Sequence, residues 1–379
     1  MKLLVITESI HPEYGGPSVS LPSLLNELRS NHDVSFKIIA VSQKMINDNA
    51  LINNEDLILV KQCGSDKLKF APYLLKVLWE NSNGVDFIYS QNLWNYVSFC
   101  AFLVAKLRRI KSIVAPRGAL TKWSLSQGKL RKKLVLLLFQ KKALKDASFI
   151  HVTSNEEIDN IRQLGLNTTC RLVPHGISLP VNIDDSVSTV NNSLGIPDDQ
   201  KYFLFMSRLH KKKGLDILLD VWDKISQSYP EWTLLIAGPD YDNYLNKIEL
   251  LSNKKIKYMG VADDLTKSLL FKTSQFFVLP TYSENFGVVI GESLSYGVPV
   301  VTTTGTPWQV IEDKNCGIII ELNEFNLKLA LEKMFLTTVD DMVVMSNNAK
   351  DLISSEFAWS SRARDFRLFL DAGCYNVQK

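Results

Sequence analysis

Short apolar runs rich in β-branched and aromatic residues alternate along this chain with longer segments whose apolar residues recur at helical spacing. In the first half, the predicted strands are residues 3–7, 36–41, 87–90, 112–115, 149–153 and 171–173. The rhythm then restarts, with predicted strands at 202–206, 233–237, 257–260, 276–280 and 298–302. Strands that alternate with helices are typical of parallel sheets covered by helices.

The length of 379 residues exceeds the roughly 250 to 300 at which one hydrophobic core stops growing. A polar, Asn- and Asp-rich stretch at 181–200 separates the two series of strands and predicts a linker. We therefore expect an α/β protein with two Rossmann-like, doubly wound domains that face each other across a cleft, at 1–180 and 201–357. Ligands of such sheets bind at the carboxyl ends of the strands.

Composition and charge narrow the possible functions. Hydrophobic residues make up 46% of the chain and charged residues 22%, as in ordinary globular proteins. A net charge of +3 from 43 basic and 40 acidic residues does not indicate a nucleic-acid binder. Five scattered cysteines without metal-ligand spacing indicate a reducing compartment and no structural zinc. No signal peptide and no run of ~20 apolar residues is recognised, so we expect a cytoplasmic protein.

The densest motif is PTYSENFGVVIGESLSYGVPVV, in which a predicted strand ends near Pro280 and a glycine-containing loop leads into a helix. A helix amino terminus that follows such a loop binds anions through its free N–H groups and its dipole. Glu284 lies in the loop and Glu292 about one turn into the helix, so one carboxylate can meet a sugar and the other a ribose. The alternative is that Glu292 is a surface glutamate favoured by the helix dipole and that Glu284 is an ordinary loop residue.

Two cations follow the first strand of the second half. In FLFMSRLHKKKGLDILL, the strand delivers Arg208, and Lys213 opens the next helix. Such a pair can clamp a diphosphate, with Arg as a fork and Lys as a point charge. The alternative is a solvated basic loop.

A weaker motif, HPEYGGPS, places Gly15 and Gly16 between the first strand and a helix. Paired glycines let backbone amides approach a phosphate or sugar, although a tight turn has the same pattern. No GxGxxG or Walker A motif is present.

Together these motifs resemble the retaining glycosyltransferase family 4, whose members have the GT-B fold. The resemblance runs nearly end to end. It extends to APRGAL at 115–120, VPHGIS at 173–178 and FAW at 357–359, which are similar to the branch that assembles bacterial polysaccharides and lipopolysaccharides. The resemblance implies an acceptor-binding first domain, to which the last helix at 358–379 returns, and a donor-binding second domain.

The resemblance also implies roles for individual residues. Arg208 and Lys213 would neutralise the leaving diphosphate, Glu292 would hold the ribose, and Glu284 would orient the donor sugar. The expected donor contacts are Gly15, Gly16, Arg208, Lys213, Glu284, Asn285, Phe286, Gly287, Val288 and Glu292. No cofactor and no metal is expected, because cations and a helix terminus stabilise a departing diphosphate. The Asp263–Asp264 pair is interpreted as a helix cap.

One departure concerns the acceptor side. Where relatives commonly read HxHGLW, this chain reads YSQNLW, with Tyr89 and Gln91 at the two histidine positions. Gln91, Trp94 and Arg117 are our candidates for acceptor contacts. Trp94 can stack on a sugar ring, and the alternative is that it belongs to the core, as aromatic residues of α/β proteins more often do.

The segment 122–145 holds eight basic residues, no acidic residue and the apolar run LVLLLF. A basic amphipathic helix of this kind can lie on the inner leaflet and bring the enzyme to a lipid-diphosphate-linked glycan acceptor. The alternative is a core helix whose lysine and arginine side chains extend to solvent.

The sequence thus predicts a retaining transferase that moves a hexose from a UDP- or GDP-linked donor, for O-antigen, capsule or exopolysaccharide synthesis. A sugar-nucleotide epimerase of the same fold and an inactive scaffold of a glycan-assembly complex are the alternatives. Paired carboxylates acting as in glycoside hydrolases are a third, which the resemblance disfavours.

Overall fold

The fold is that of a computed structural model, which describes residues 1–11, 16–43, 47, 49–64, 68–91, 93–126, 129–180, 186–241, 243–246 and 255–375. The chain divides into two compact units. The first consists of Met1–Gly176 with Trp359–Lys379, and the second of Ile177–Ala358. Each unit is a parallel sheet with helices between its strands, as the sequence predicts.

The first unit contains a seven-stranded sheet in the order β3-β2-β1-β4-β5-β6-β7. Its strands are β1 (Lys2–Thr7), β2 (Ser35–Ser42), β3 (Leu57–Lys61), β4 (Phe87–Gln91), β5 (Lys111–Ala115), β6 (Phe149–Val152) and β7 (Cys170–Leu172). All neighbours pair in parallel. The order reverses between β1 and β4, and this switch point is where a doubly wound sheet opens a crevice for ligands.

Helices of the first unit connect these strands in sequence. They are α1 (Gly16–His32), α2 (Leu74–Asn81), α3 (Tyr96–Arg108), α4 (Lys122–Ser126), α5 (Lys129–Val135), α6 (Lys141–Asp146) and α7 (Asn155–Gln163), with a π-helical turn at Leu136–Gln140. The last helix of the chain, α15 (Trp359–Tyr375), also belongs to this unit. Its apolar face, with Phe366 and Leu370, is buried in one core cluster with Leu25 and Leu28 of α1.

The second unit contains a six-stranded sheet in the order β10-β9-β8-β11-β12-β13. Its strands are β8 (Lys201–Met206), β9 (Trp232–Ala237), β10 (Ile256–Tyr258), β11 (Ser274–Leu279), β12 (Val300–Thr303) and β13 (Gly317–Ile320). Its helices are α8 (Val187–Leu194), α9 (Leu215–Ile225), α10 (Asp264–Thr273), α11 (Val288–Ser295), α12 (Val310–Asp313), α13 (Glu324–Phe335) and α14 (Val339–Leu352). The order reverses between β8 and β11, which places the switch point there.

An aromatic cluster fixes the central strands of the second sheet. The Phe203 ring of β8 lies 5.2 Å from Phe276 of β11, 4.9 Å from Trp222 of α9 and 5.4 Å from Phe335 of α13, between ring centroids. Aromatic pairs at such distances add to the free energy of burial. The two strands that deliver the candidate site residues are therefore rigidly held.

The linker predicted at 181–200 differs from what the structure contains. Residues 181–185 lie outside the described residues, whereas α8 belongs to the second unit. Ser186 caps its amino terminus, Gly195 ends it at φ +62°, and Val190 is 1% exposed. The prediction missed α8 because a single buried apolar residue in a polar run gives almost no helical period.

Candidate active site

The loops that follow β8 and β11 meet at the switch point of the second sheet. β8 pairs directly with β11, so their carboxyl ends lie side by side. Arg208 comes two residues after β8, and Glu284 lies in the loop between β11 and α11. The fold thus brings the predicted cation loop and the predicted glutamate loop to one edge of one sheet.

Lys213 and Glu284 form an ion pair between these loops. Their side chains are only 15% and 13% exposed. Lys213 ends a 3₁₀ turn, Lys211–Lys213, immediately before α9. A half-enclosed pair is less screened than one in bulk water, so each charge strongly orients the other. The sequence predicted both residues for one site, and the structure places them in contact.

Backbone contacts set the spacing of the two loops. Gly214 has φ +71°, and a Cβ at this position would lie 1.8 Å from the carbonyl oxygen of Pro280. The amide of Tyr282 donates to the carbonyl of Lys212 at 2.9 Å, and the hydroxyl of Thr281 donates to the same oxygen at 3.0 Å. Only glycine allows this approach, which carries Lys213 to Glu284.

The loop after β12 supports Glu284 from its other side. The Glu284 amide donates to the carbonyl of Gly305 at 2.8 Å, and the Thr303 hydroxyl donates to the carbonyl of Thr281 at 2.6 Å. A Cβ at Gly305 would lie 2.5 Å from the Tyr282 carbonyl oxygen. The loop after β8 and the end of β12 with its following loop therefore both hold the backbone of the loop that carries Glu284. Thr303, which ends β12, and Gly305 are site-supporting residues that the sequence did not single out.

The amino terminus of α11 begins next to this ion pair. Gly287 is its N-cap at φ +77° and offers no side chain to the first-turn amides. The carbonyl of the preceding Phe286 accepts a hydrogen bond from Trp308 Nε1 at 2.6 Å, and both rings are buried. An N-terminus without a side-chain cap suits an incoming anion, because first-turn amides have no intrahelical partner. Asn285 and Val288 flank this turn.

Glu292 lies one turn into α11 and has a partner that sequence reasoning missed. Its carboxylate accepts from Lys267 of α10 at 2.8 Å, and Lys267 also lies 3.4 Å from Asp264. Burial disfavours the charge of Lys267, but the two carboxylates outweigh burial and raise its pKa. Neighbouring Asp263 caps α10 through the Thr266 amide, which confirms its interpretation as a cap.

Arg208 is exposed on the loop after β8. The amide of Leu209 donates to the carbonyl of Pro239 at 2.9 Å, and Gly238 packs tightly on Ser207. The backbone of this loop is therefore fixed to the end of β9. The guanidinium of Arg208 faces solvent, from which an anion can approach.

In the first unit, Arg117 and Gln91 lie at the switch point of the sheet. Gln91 ends β4 and is 1% exposed, and its Oε1 accepts from Arg117 Nε at 2.9 Å. Arg117 has φ +53° and also contacts the Tyr89 hydroxyl at 3.3 Å. Two candidate acceptor residues are thus brought together. Gly15 lies outside the described residues, and Gly16 is the first residue of α1.

Trp94 is not available as a stacking platform. It is 6% exposed, has φ +75°, and donates its indole N–H to the carbonyl of Ala119 at 3.2 Å. The ring is therefore part of the core. In a sheet covered by helices on both faces, most aromatic side chains pack in the core, and Trp94 does so here.

Tyr89, at one of the expected histidine positions, is also buried. Its hydroxyl lies 2.6 Å from His151 Nδ1, and His151 Nε2 lies 2.9 Å from the carbonyl of Val173. Since a carbonyl only accepts, Nε2 carries the proton and Nδ1 accepts from the tyrosine. Burial, together with the charge of Arg117, lowers the pKa of His151 to about 3. This neutral histidine holds the carboxyl end of β4 in place.

Within the described parts of the chain, no cluster of three His, Cys, Asp or Glu side chains has the arrangement of a metal site. No helix there has the length and hydropathy to span a bilayer.

Two protein-family models match the chain. One, the Glycosyl transferase 4-like domain, matches residues 15–176, and the other, Glycosyl transferases group 1, matches residues 187–351. Each of the two matched segments is therefore similar to a glycosyltransferase domain. Arg208, Lys213, Glu284 and Glu292 all fall within the group 1 domain, and Gln91 and Arg117 fall within the 4-like domain.

Two curated glycosyltransferases are similar to part of the chain. An uncharacterized glycosyltransferase of Methanocaldococcus jannaschii is 26% identical over 177 residues, covering 46% of this chain and 45% of that protein. A phosphatidyl-myo-inositol mannosyltransferase of Mycobacterium tuberculosis is 28% identical over 159 residues, covering 41% of this chain and 42% of that protein. The chain thus spans less than half the length of these two relatives.

A solved structure extends the likeness to the whole chain. HepE of Anabaena, in complex with UDP and glucose, superimposes with a TM-score of 0.77 over 98% of this chain and 100% of that one, at 18% identity. Likeness at this identity concerns the fold alone, and it confirms the predicted GT-B fold class with its two Rossmann-like α/β domains.

Proposed function

We propose that the protein is a retaining glycosyltransferase that moves a hexose from a UDP- or GDP-linked donor to a lipid-linked glycan acceptor. The observation that carries this proposal is the Lys213–Glu284 ion pair beside the uncapped amino terminus of α11. A cation, an acid and a helix terminus at one switch point match the needs of a nucleotide-sugar, which brings two negative phosphates and a neutral ring of hydroxyls.

Charge stabilisation of the leaving group is the main catalytic contribution in this proposal. As the glycosidic bond to phosphate breaks, negative charge develops on the nucleoside diphosphate. Lys213, Arg208 and the first-turn amides of α11 stabilise that charge from loops whose backbones are hydrogen-bonded to one another. Glu284 exchanges part of its contact with Lys213 for hydroxyls of the sugar, and Glu292 accepts from the ribose.

No covalent nucleophile and no metal ion enters this scheme. The acceptor hydroxyl oxygen would bond to the anomeric carbon on the face from which the phosphate oxygen departs, and the hydroxyl proton would pass to that phosphate oxygen. Attack and departure on one face retain the anomeric configuration. Neutralisation of the diphosphate by Arg208 and Lys213 replaces the divalent cation that phosphate chemistry often needs. Turnover in the presence of EDTA is the direct check of this point.

A lipid acceptor is supported by a surface that we name the basic face. It comprises exposed or half-exposed residues of α5, the π-helical turn and α6: Lys133, Leu134, Leu137, Leu138, Lys141, Lys142 and Lys145. Leu137 and Leu138 are 70% and 71% exposed. Leucines flanked by lysines suit the headgroup region of an anionic membrane. We therefore place the enzyme on the inner face of the plasma membrane, where the acceptors of O-antigen, capsule or exopolysaccharide synthesis lie.

The experiment that tests the function is a panel of radiolabelled UDP- and GDP-hexoses with a polyprenyl-diphosphate-linked glycan. Transfer to the lipid, with retention read from the anomeric coupling in the product spectrum, supports the proposal. Release of an epimerised donor would instead identify an epimerase. Absence of turnover and of nucleotide binding would leave a scaffold, and inversion would contradict the retaining mechanism.

A further inference from the structure

A cavity of about 740 Å³ lies at the amino ends of the strands of the second sheet. Lys201, Trp232 and Ser274, which begin β8, β9 and β11, line it. Because the strands are parallel, their amino ends face away from the loops that carry Arg208 and Glu284. We name this space the amino-end cavity. Its volume lies within the ~300–1,000 Å³ typical of small-ligand sites.

The wall of the amino-end cavity is largely apolar. Trp232, Phe271, Tyr296, Phe335 and Met342 are among its lining side chains. Its lining also includes Val339 and Val343, which are 80% and 54% exposed. Exposed apolar side chains that adjoin an apolar cavity favour a ligand with a hydrocarbon body, since burying both surfaces releases water.

Charge in the amino-end cavity has a single sign. Lys201, Lys272 and Lys350 line it, and no Asp or Glu is among the described lining residues. Lys201 Nζ lies 5.5 Å from the Trp232 ring centroid, which places its charge over the apolar wall. The stem of Lys350 covers Gly297, where a Cβ would lie 2.5 Å from its Cε. Ammonium groups that lie beside an apolar wall attract the anionic head group of a ligand whose hydrocarbon body packs on that wall.

Nearby acids limit how much negative charge the cavity accepts. Thr338 lines it as the N-cap of α14, and Asp340 and Asp341 occupy the first turn of that helix. The Asp341 carboxylate accepts from the Thr338 hydroxyl at 2.8 Å. This helix terminus is therefore already compensated by acids, and the charges proposed to meet one compact anion are those of Lys201 and Lys350.

We propose that the amino-end cavity binds a single-chain amphiphile with one anionic head group, its hydrocarbon chain against Trp232 and Phe335 and its head at Lys201 and Lys350. A carboxylate and a phosphate monoester share the chemistry that these lysines recognise. The site is distinct from the proposed nucleotide-sugar site, and its test does not depend on catalysis.

The test is calorimetric titration with dodecanoate and with dodecyl phosphate, each below its micelle concentration. Saturable binding with quenching of tryptophan fluorescence is expected for one or both, and the comparison identifies the preferred head group. Dodecanol lacks the anionic head group and inorganic phosphate lacks the hydrocarbon chain, so each should bind at least about tenfold more weakly. Dodecanol binding as tightly as both anions, or no saturable binding of either anion, would overturn the proposal.

Variants locate the site. Lys350→Glu and Lys201→Glu should each weaken binding about tenfold or more, because each places a negative charge at the head group. Lys333→Glu is the matched control, since Lys333 is an exposed lysine of α13 that does not line the cavity. Its affinity should equal that of the wild type, and an equal loss in all three variants would show that net charge alone attracts the ligand. Addition of UDP should leave the affinity for the amphiphile unchanged. Competition by UDP would instead place the amphiphile at the proposed nucleotide-sugar site.

Discussion

Lys213 and Glu284 connect the loops after β8 and β11 through an ion pair whose side chains are mostly enclosed. Backbone contacts between the two loops, at Lys212, Gly214, Pro280 and Tyr282, fix the cation and the acid beside each other. Preorganised charges cost little reorganisation when a reaction develops charge, and this is the condition for strong electrostatic catalysis. The relationship also couples the two residues, since removal of either leaves the other half-buried and unpaired.

The first prediction concerns this coupling. Lys213→Met removes a cation from the leaving group and should lower kcat by about 100-fold or more. It should also destabilise the protein, because Glu284 loses its partner. Adding Glu284→Gln to Lys213→Met should recover stability but not turnover. Steady-state kinetics and thermal melts of the two single variants and the double variant measure both effects.

A matched control exists at the surface. Lys224 and Glu324 form an ion pair at 2.6 Å whose side chains are 63% and 57% exposed. Exposed pairs contribute little, so Lys224→Met should change kcat less than about twofold. If Lys213→Met behaved like Lys224→Met in the transfer assay, the proposed role of Lys213 would be wrong.

The second prediction concerns the glycine that allows the loops to approach. Gly214→Ala should destabilise the protein by more than about 2 kcal/mol, because its Cβ would collide with the Pro280 backbone in addition to the cost of positive φ. Gly195→Ala is the control: Gly195 has φ +62°, but no atom lies within 4 Å of its would-be Cβ. This variant should lose only about 1–2 kcal/mol. Denaturant titrations of both variants compare the two losses, and equal losses would show that the contact with Pro280 is unimportant.

The sequence predicted all the central strands and two of the four edge strands, β7 and β10. β8 and β11 are continuous apolar runs, which fully buried parallel strands require. β3 and β13 were not predicted. They lie at sheet edges, and the half-buried positions in β3 and in Gly317–Ile320 of β13 weaken the apolar signal. β3 and β13 are stabilised by pairing with β2 and β12, and the local sequence of a strand does not show which strand it pairs with.

The candidate site was predictable in its residue types and not in its partners. Arg208 and Glu284 follow strands with strong patterns, so their placement at one edge follows from topology. Glu292 and Lys267 are 25 positions apart in the sequence and lie on two different helices. Lys267 sits in an ordinary amphipathic helix, and nothing in its local sequence distinguishes it from a solvated lysine. Trp94 shows the converse, because its residue type indicated a ligand contact and its backbone placed it in the core.

The third prediction concerns acid stability. His151 is buried and neutral, with a pKa of about 3 against an ordinary value of 6.5. Between these values the unfolded chain binds a proton that the folded chain does not, so this residue's contribution to stability is present above pH 6.5 and decreases as the pH falls. His151→Gln can donate to Val173 and accept from Tyr89, yet does not titrate. It should reduce the pH dependence of the unfolding free energy in this window by about 1.4 kcal/mol per pH unit.

Denaturant titrations between pH 4 and pH 7 measure this slope. His32→Gln, at the partly exposed carboxyl end of α1, is the control for the substitution itself. An unchanged slope in His151→Gln would mean that the histidine is protonated in the folded protein or exposed to solvent.

The fourth prediction concerns the basic face and membranes. Vesicles that contain phosphatidylglycerol should retain the protein at low salt, and neutral phosphatidylcholine vesicles should not. Each lysine near an anionic surface contributes about 1 kcal/mol. Reversal of Lys133, Lys141, Lys142 and Lys145 to Glu should therefore lower the partition coefficient by at least about 100-fold. Lys132 is left unchanged, because its ammonium donates to the carbonyl and the hydroxyl of Ser124.

A variant of equal charge separates a specific face from net charge. Reversal of four exposed lysines elsewhere, Lys61, Lys76, Lys328 and Lys333, changes the total charge by the same amount. At an ionic strength of about 0.1 M, fields are screened beyond ~10 Å, so distant charges should matter little and this variant should still bind. Leu137→Ser with Leu138→Ser should instead weaken the binding that persists at high salt, since those leucines provide the apolar contact. An equal loss of vesicle binding from both sets of lysines would show that net charge, and not the basic face, attracts the protein to membranes. The proposal of a lipid acceptor would then lose its structural support.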